Sequence, residues 1–149
     1  MATIHYTDTA LKIQQALTGN DTVKLPGNLC CGNILVARGQ YVAAGASAGD
    51  EIQITRLPKG AVVIPHLCQV FTESLGSAFT VKIGDSNADD RYASSLSLAS
   101  AGRQSLTGGS AELSPEPLEG SGWITATITS ATAVATGKKA QFWIAYIMP

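Results

Sequence analysis

The chain has 149 residues, of which 45% are apolar and 14% are charged, and its formal net charge at pH 7 is -1. A chain of this length and apolar content is sufficient for one domain with a real hydrophobic core, which excludes intrinsic disorder as its global state. No basic run is longer than Lys138-Lys139, so the composition also excludes a nucleic-acid binder that follows phosphates with clustered cations.

One helical segment is predicted near the N-terminus. Between Thr7 and Leu17, three apolar residues share one helical face, and Gly19 follows as a residue that ends helices. Residues 1–24 are therefore expected to form a short N-terminal arm or helix outside the rest of the core.

The remainder of the chain has the two-residue periodicity of β-strands. Alternating polar and apolar residues predict three antiparallel strands with one buried face, at 51–56, 79–83 and 124–129. Three further runs are apolar on both faces, at 33–42, 61–71 and 140–147. A strand of that kind needs cover from a second sheet or from another subunit.

The segment 84–122 is rich in Ser, Ala, Gly and acidic residues, and only one or two short strands are predicted in it, near 94–98 and 103–106. A long loop in a small domain usually binds something or is disordered. Binding is favoured, because the loop offers apolar side chains, namely Tyr92, Leu96, Leu98 and Leu106. We expect contact with another chain to order it, since ordering each small residue costs about 1 to 2 kcal/mol of backbone entropy.

Together these elements predict a single all-β domain over residues 1–149. The expected architecture is an antiparallel β-sandwich or jelly roll with a short N-terminal arm or helix and one long loop-rich insertion, 84–122. No internal repeat and no linker divides the sequence.

Residues 45–49 (GASAG) have the spacing of a serine nucleophile elbow. That motif needs a helix after the serine in a parallel α/β sheet, whereas residues 50–57 have the pattern of a strand. A flexible hairpin loop is the better interpretation. We expect no enzyme activity, no cofactor and no small-molecule substrate; an esterase would instead hydrolyse an activated ester and lose that activity in Ser47→Ala.

Four residues suggest a metal site at first sight. His66 and Cys68 are expected on the same face of one strand, and Cys30 and Cys31 provide further thiols. Structural zinc sites usually have paired C-x2-C or H-x3-H spacing, which is missing. Adjacent cysteines form a disulfide only with strain. We therefore expect reduced thiols in the core and no bound metal.

Membrane and export signals are missing from the sequence. No stretch reaches about 18 uninterrupted apolar residues. The N-terminal sequence lacks the basic and apolar regions of a secretory signal. The sequence thus predicts a soluble protein made in the cytosol, with no membrane partner.

Residues 85–90 (DSNADD) begin like a calcium-binding loop, but the sixth position is Asp90 instead of glycine and the twelfth is Leu96 instead of glutamate. An Asx-rich turn in which Asp89 or Asp90 pairs with Arg91 is the better interpretation, with cation binding as the alternative. We expect this turn and the loop after it to contact a partner, through Asp85, Asn87, Asp89, Asp90, Arg91, Tyr92, Leu96, Leu98 and Leu106.

The order of several segments resembles small virion proteins of tailed bacteriophages. RLPKGA at 56–61 precedes a strand, SLG at 74–76 precedes the next, GD at 84–85 opens a loop that reaches DDRY at 89–92, and Gly137 precedes the closing strand. The similarity spans residues 50–147. The first 50 residues resemble no family.

The resemblance implies a non-enzymatic capsid cement or decoration protein. Such proteins bind the outside of the head shell, often as trimers, and hold neighbouring major capsid subunits together. The implied partners are the major capsid protein of a phage head and further copies of the chain, and the implied location is the capsid surface, after synthesis in the host bacterial cytoplasm. The two-faced apolar runs 61–71 and 141–147 also predict a homotrimer.

Two alternatives stay open at this point. One is a structural component of the phage tail or neck. The other is a small carbohydrate-binding β-sandwich, which would expose aromatic residues beside acidic ones and show glycan binding that depends on calcium.

Overall fold

The computed structural model describes residues 33–112, 116–119 and 122–148. Within these ranges the chain forms nine strands and two 3-10 turns: β1 (Leu35–Val42), β2 (Glu51–Arg56), β3 (Val62–Val63), η1 (Pro65–Leu67), β4 (Gln69–Glu73), β5 (Thr80–Gly84), β6 (Ala93–Ser97), β7 (Ala101–Ser105), η2 (Ser110–Glu112), β8 (Trp123–Ser130) and β9 (Lys139–Ile147). The predicted N-terminal arm or helix, Cys30 and Cys31 lie outside the described residues.

The strands form two antiparallel sheets. Sheet A has the order β1-β9-β4-β7, with the short β3 also paired to β9, and sheet B has the order β2-β8-β5-β6. The prediction of an all-β antiparallel sandwich is confirmed. The strands predicted from alternation at 51–56, 79–83 and 124–129 correspond to β2, β5 and β8.

The core lies between the two sheets, and the alternation of each strand decides what enters it. In β8, Ile124, Ala126 and Ile128 are almost fully buried, while the residues between them face outward. Burying one side chain of isoleucine size stabilises the fold by about 1.5 to 3 kcal/mol. Between the sheets, Gly39 in β1 lies against the backbone carbonyl of Ile54, and a Cβ at position 39 would collide with it.

The run 61–71 is not one strand, which corrects the sequence prediction. Pro65 begins the 3-10 turn η1 and separates β3 from β4, because proline has no N–H to give to a sheet and is well suited to the first position of a helical turn. His66 lies in this turn and is exposed, whereas Cys68 follows it and is fully buried. The two side chains therefore do not share one strand face.

The segment 84–122 contains the two short strands that were predicted, as β6 and β7. Its apolar side chains pack into the core of the same chain: Tyr92, Leu96, Leu98 and Leu106 are at most 5% exposed. These residues thus have intrachain partners, and no contact with another chain is needed to bury them. The burial of three leucines offsets the backbone entropy that was expected to leave the loop unordered.

Candidate functional site

The turn after β5 is organised around the carboxylate of Asp85. Its Oδ1 accepts hydrogen bonds from the backbone N–H groups of Asn87 and Ala88, at 2.9 and 3.3 Å. Its Oδ2 accepts from Nη1 of Arg91 at 2.8 Å and from the hydroxyl of Tyr92 at 2.7 Å. The Asp85 side chain is only 1% exposed, so four donors replace the water that it loses on folding.

The Asx-rich turn predicted for residues 85–90 is present, but its ion pairs differ from the prediction. Arg91 pairs with Asp85 rather than with Asp89 or Asp90. Asp89 instead lies 3.4 Å from Nζ of Lys82, and both of these side chains are substantially exposed. Arg91 pairs with the buried carboxylate because the attraction between opposite charges is strongest where water is excluded.

Arg91 links the turn to a distant part of the chain. Its Nη2 donates to Glu116 at 3.1 Å, and its guanidinium lies 5.9 Å from the centre of the Tyr92 ring. Burial raises the pKa of Tyr92 above its ordinary value, and the hydrogen bond and negative charge of Asp85 raise it further. The Tyr92 hydroxyl is thus held neutral as a donor to Asp85.

Two glycines allow this turn to pack tightly. The backbone of Ala88 and Asp89 folds directly over Gly84, where a Cβ would overlap it. Gly109 lies in the same way against the backbone of Arg91 and Tyr92. The turn is therefore fixed from both sides, and the surface it presents has a defined shape.

A groove of about 390 Å³ lies beside the turn, on the outer face of sheet B. Carboxylates, amides, hydroxyls and one indole line it, from Glu51, Gln53, Asp85, Ser86, Asn87, Ala88, Asp89, Trp123, Thr125 and Thr127. These polar groups leave the groove suited to a hydrogen-bonding partner rather than to an apolar ligand.

The nine predicted contact residues separate into two groups. Six are buried within the chain, at 6% exposure or less: Asp85, Arg91, Tyr92, Leu96, Leu98 and Leu106. Asn87 and Asp89 are exposed and Asp90 is half-buried. Contact with a partner at these positions stays a prediction, and on this fold the exposed side chains of the turn would make it.

Three residues that line the groove, Gln53, Trp123 and Thr125, were not among the residues predicted from the sequence to contact a partner. The signal for them was the alternation itself, since the residues on either side of a buried strand residue such as Ile54 or Ile124 must face outward. What alternation does not show is that β2 and β8 are neighbours.

The remaining motifs have structural explanations. Ser47 lies in the loop between β1 and β2, with its N–H donating to Asp50 at 2.8 Å, and a strand rather than a helix follows. The loop joins the two sheets, so it is not the hairpin that was predicted. Cys68 donates to the carbonyl of Ile64 and accepts from the N–H of Ala145, each at 3.2 Å, and burial raises the pKa of its thiol to about 11.

The described part of the chain contains neither a cluster of metal-ligating residues nor a helix that could span a membrane. Within it, no three His, Cys, Asp or Glu residues come close enough together to hold a metal ion. Within the same ranges, no helix is long and apolar enough to span a membrane.

The fold is similar to that of chains in three solved phage capsid structures. The capsid asymmetric unit of cyanophage Pam1 contains a chain with 20% identity and a TM-score of 0.57, and the match covers 85% of this chain and 92% of that one. The capsid of Ralstonia phage GP4 contains one with 17% identity and a TM-score of 0.57, covering 85% and 90%.

The third structure is the acid-stable capsid of the Helicobacter pylori bacteriophage KHP30, with 14% identity, a TM-score of 0.54 and coverage of 78% and 88%. No family model matches the sequence, and no curated protein matches it. What the chain shares with one chain of each of these phage capsid structures is the fold, over 78–85% of its length.

Proposed function

We propose that the chain is a non-enzymatic structural protein of a phage virion that associates with the capsid. The observation that carries the proposal is the likeness of its fold to chains in three phage capsids, over 78–85% of its length. The order of motifs over residues 50–147, which resembles small virion proteins of tailed phages, supports the same conclusion.

Within the virion we assign it the role of a cement or decoration protein. It would bind the outer surface of the head and join neighbouring major capsid subunits. A rigid sandwich with a firmly held polar turn suits that role, because a protein that joins subunits gains affinity when its contact surface is already ordered. The turn from Asp85 to Tyr92 meets this requirement through the four hydrogen bonds to one buried carboxylate.

We propose further that the protein acts as a homo-oligomer, with a trimer as the expected form. Several large apolar side chains stay exposed on the single chain, among them Ile34, Leu35 and Val36 at 42–53% and Met148 at 42%. Because β1 and β9 pair antiparallel, with Leu35 opposite Tyr146, these residues lie at the same end of sheet A. Contiguous exposed apolar residues are typical of protein interfaces.

Glycan binding is a second candidate function, and the groove on sheet B is the observation that favours it. Trp123 lies there beside Glu51 and Asp89, among hydroxyl and amide groups. An indole beside carboxylates is suited to the face and the hydroxyls of a sugar ring. Glycan-array binding that is lost in Trp123→Ala would support this function, and an array without signal would remove it.

The proposed function is tested with phage heads that lack this protein. Purified chain is mixed with the heads and sedimented, with isolated tails as a parallel sample and an unrelated β-sandwich of similar size as the control. We expect saturable binding to heads alone. Binding to tails would assign the chain to the tail or neck instead, and binding to neither would overturn the proposal.

A further inference from the structure

The outer face of sheet A has a composition unlike that of the polar groove on sheet B. We propose that it is a docking surface for an acidic region of the capsid shell, centred on Trp143 and Phe71 and flanked by Arg38 and Arg103. This inference rests on the proposed function and names the surface and the partner chemistry through which that function would operate. We call it the aromatic face, consisting of Arg38, Gln40, Phe71, Arg103, Gln141 and Trp143.

Strand pairing places these six residues together. Arg38 in β1 is opposite Trp143 in β9. In the adjacent row, Gln40 is opposite Gln141, Gln141 is opposite Phe71 in β4, and Phe71 is opposite Arg103 in β7. Directly opposite residues of antiparallel strands point to the same side of a sheet, as do residues two apart on one strand. The two rows therefore form one continuous surface across four strands.

The side chains of the aromatic face support one another. The Arg38 guanidinium lies 5.4 Å from the centre of the Trp143 ring system, and the Phe71 and Trp143 rings lie 5.8 Å apart at an angle of 58°. Gln141 donates to Gln40 at 3.2 Å. These contacts hold the exposed side chains in place before binding, which lowers the entropy that association would cost.

The side chains of the aromatic face are not all buried in the core of the chain. Phe71 is 38% exposed although it is a large apolar residue. Nε1 of Trp143 is buried and has no hydrogen-bond partner among the described residues, so this indole donor is unsatisfied within the single chain. Trp, other aromatic residues and Arg are enriched at the centre of protein interfaces, where they supply most of the binding energy.

Two hollows flank the centre of the aromatic face. One of about 130 Å³ is lined by Arg38, Gly39, Gln40 and Gln141. The other, of about 150 Å³, is lined by Phe71, Thr72, Glu73, Lys139 and Gln141. An otherwise flat sheet surface with a hollow on each side of Gln141 offers places where side chains of a partner can lodge.

Charge identifies the chemistry of the partner. Arg38, Arg103 and Lys139 lie on this side of sheet A against one carboxylate, Glu73, whose Oε2 accepts from the Lys139 backbone N–H at 2.9 Å. The face is thus basic in a chain whose net charge is -1. Two copies of this face packed together would bring like charges into contact, which disfavours self-association here and favours an acidic partner.

The experiment compares single charge reversals in the full chain. Arg103→Glu changes the aromatic face, and Lys59→Glu is the matched control in the exposed turn before β3. Each variant is titrated onto heads that lack the protein, at low and at physiological salt, after circular dichroism has confirmed its fold. We expect Arg103→Glu to weaken binding about tenfold, with a shallower salt dependence, and Lys59→Glu to bind within about twofold of the wild type.

Phe71→Ser is the second variant, and it is expected to weaken binding by a factor that salt does not alter. If both face variants bind heads as the wild type does, the inference is wrong and the proposed function stands. If the wild type itself binds no heads, the proposed function fails, and the inference fails with it. The oligomeric state of each variant is measured by light scattering. A change in either variant would show that the aromatic face binds a second copy of the chain, and the inference of an acidic capsid partner would be wrong.

Discussion

Replacing Arg91 by methionine tests whether the buried ion pair holds the turn after β5. The substitution removes the 2.8 Å contact with Asp85 and leaves a carboxylate that is 1% exposed without its opposite charge. Breaking a buried pair by removing one partner costs about 3 to 5 kcal/mol. The Tyr92 hydroxyl and two backbone N–H groups remain as donors, which places the expected loss near the lower end, or about 3 kcal/mol. That is a large fraction of the roughly 5 to 15 kcal/mol that stabilises a domain.

The assay is urea unfolding followed by tryptophan fluorescence, with Lys82→Met as the control. Lys82 and Asp89 form an exposed pair at 3.4 Å, and the loss of such a pair costs at most about 1 kcal/mol. Adding Asp85→Asn to Arg91→Met removes the uncompensated charge, so the double variant is expected to be more stable than the sum of the single losses predicts. A loss for Arg91→Met no larger than that for Lys82→Met would refute the reasoning.

Three further predictions follow from the same contacts. Gly84→Ala is expected to destabilise the fold by more than Gly45→Ala, because a Cβ at position 84 overlaps the backbone of the turn, whereas at position 45 the space is open and alanine meets only the cost of a left-handed backbone with φ of 61°; thermal melts of the two variants decide this. Burial favours the thiol of Cys68 over the thiolate and raises its pKa from 9.0 to about 11 in the folded state. The stability of the fold is therefore unaffected by this group below pH 9, and it falls as the pH rises from 9 to 11. The loss is about 3 kcal/mol, and Cys68→Ala should remove that part of the pH dependence of unfolding. Backbone amides of β6 and of residue 106 are expected to exchange slowly in the isolated chain, and rapid exchange by mass spectrometry would show that another chain is needed to order them.

The strands were predictable where one face is buried and the other is exposed to solvent. The alternation at 51–56 and 124–129 is local, and it corresponds to β2 and β8 without any knowledge of the fold. Pro65 is also a signal for a break in the strand, but the continuous run of apolar residues around it led to the prediction of a single strand over 61–71. The two-faced apolar run 140–147 became β9, which has a buried inner face and a mixed outer face.

The candidate sites depend on contacts that no local pattern contains. That Arg91 pairs with Asp85 follows from which carboxylate is buried, and burial is decided by the packing of the whole sandwich. The aromatic face requires β9 to lie between β1 and β4, an order that connects residues about 100 positions apart. The sequence contained Phe71 and Trp143, but the register that brings them together belongs to the folded chain.

The most direct test of the proposed function is a cryo-electron microscopy map of phage heads, compared between the wild-type phage and one from which the gene for this chain has been deleted. We expect density on the outside of the wild-type shell that fits the two-sheet sandwich, with the outer face of sheet A toward an acidic part of the capsid, and no such density in the deletion. Identical maps from the two phages would contradict it.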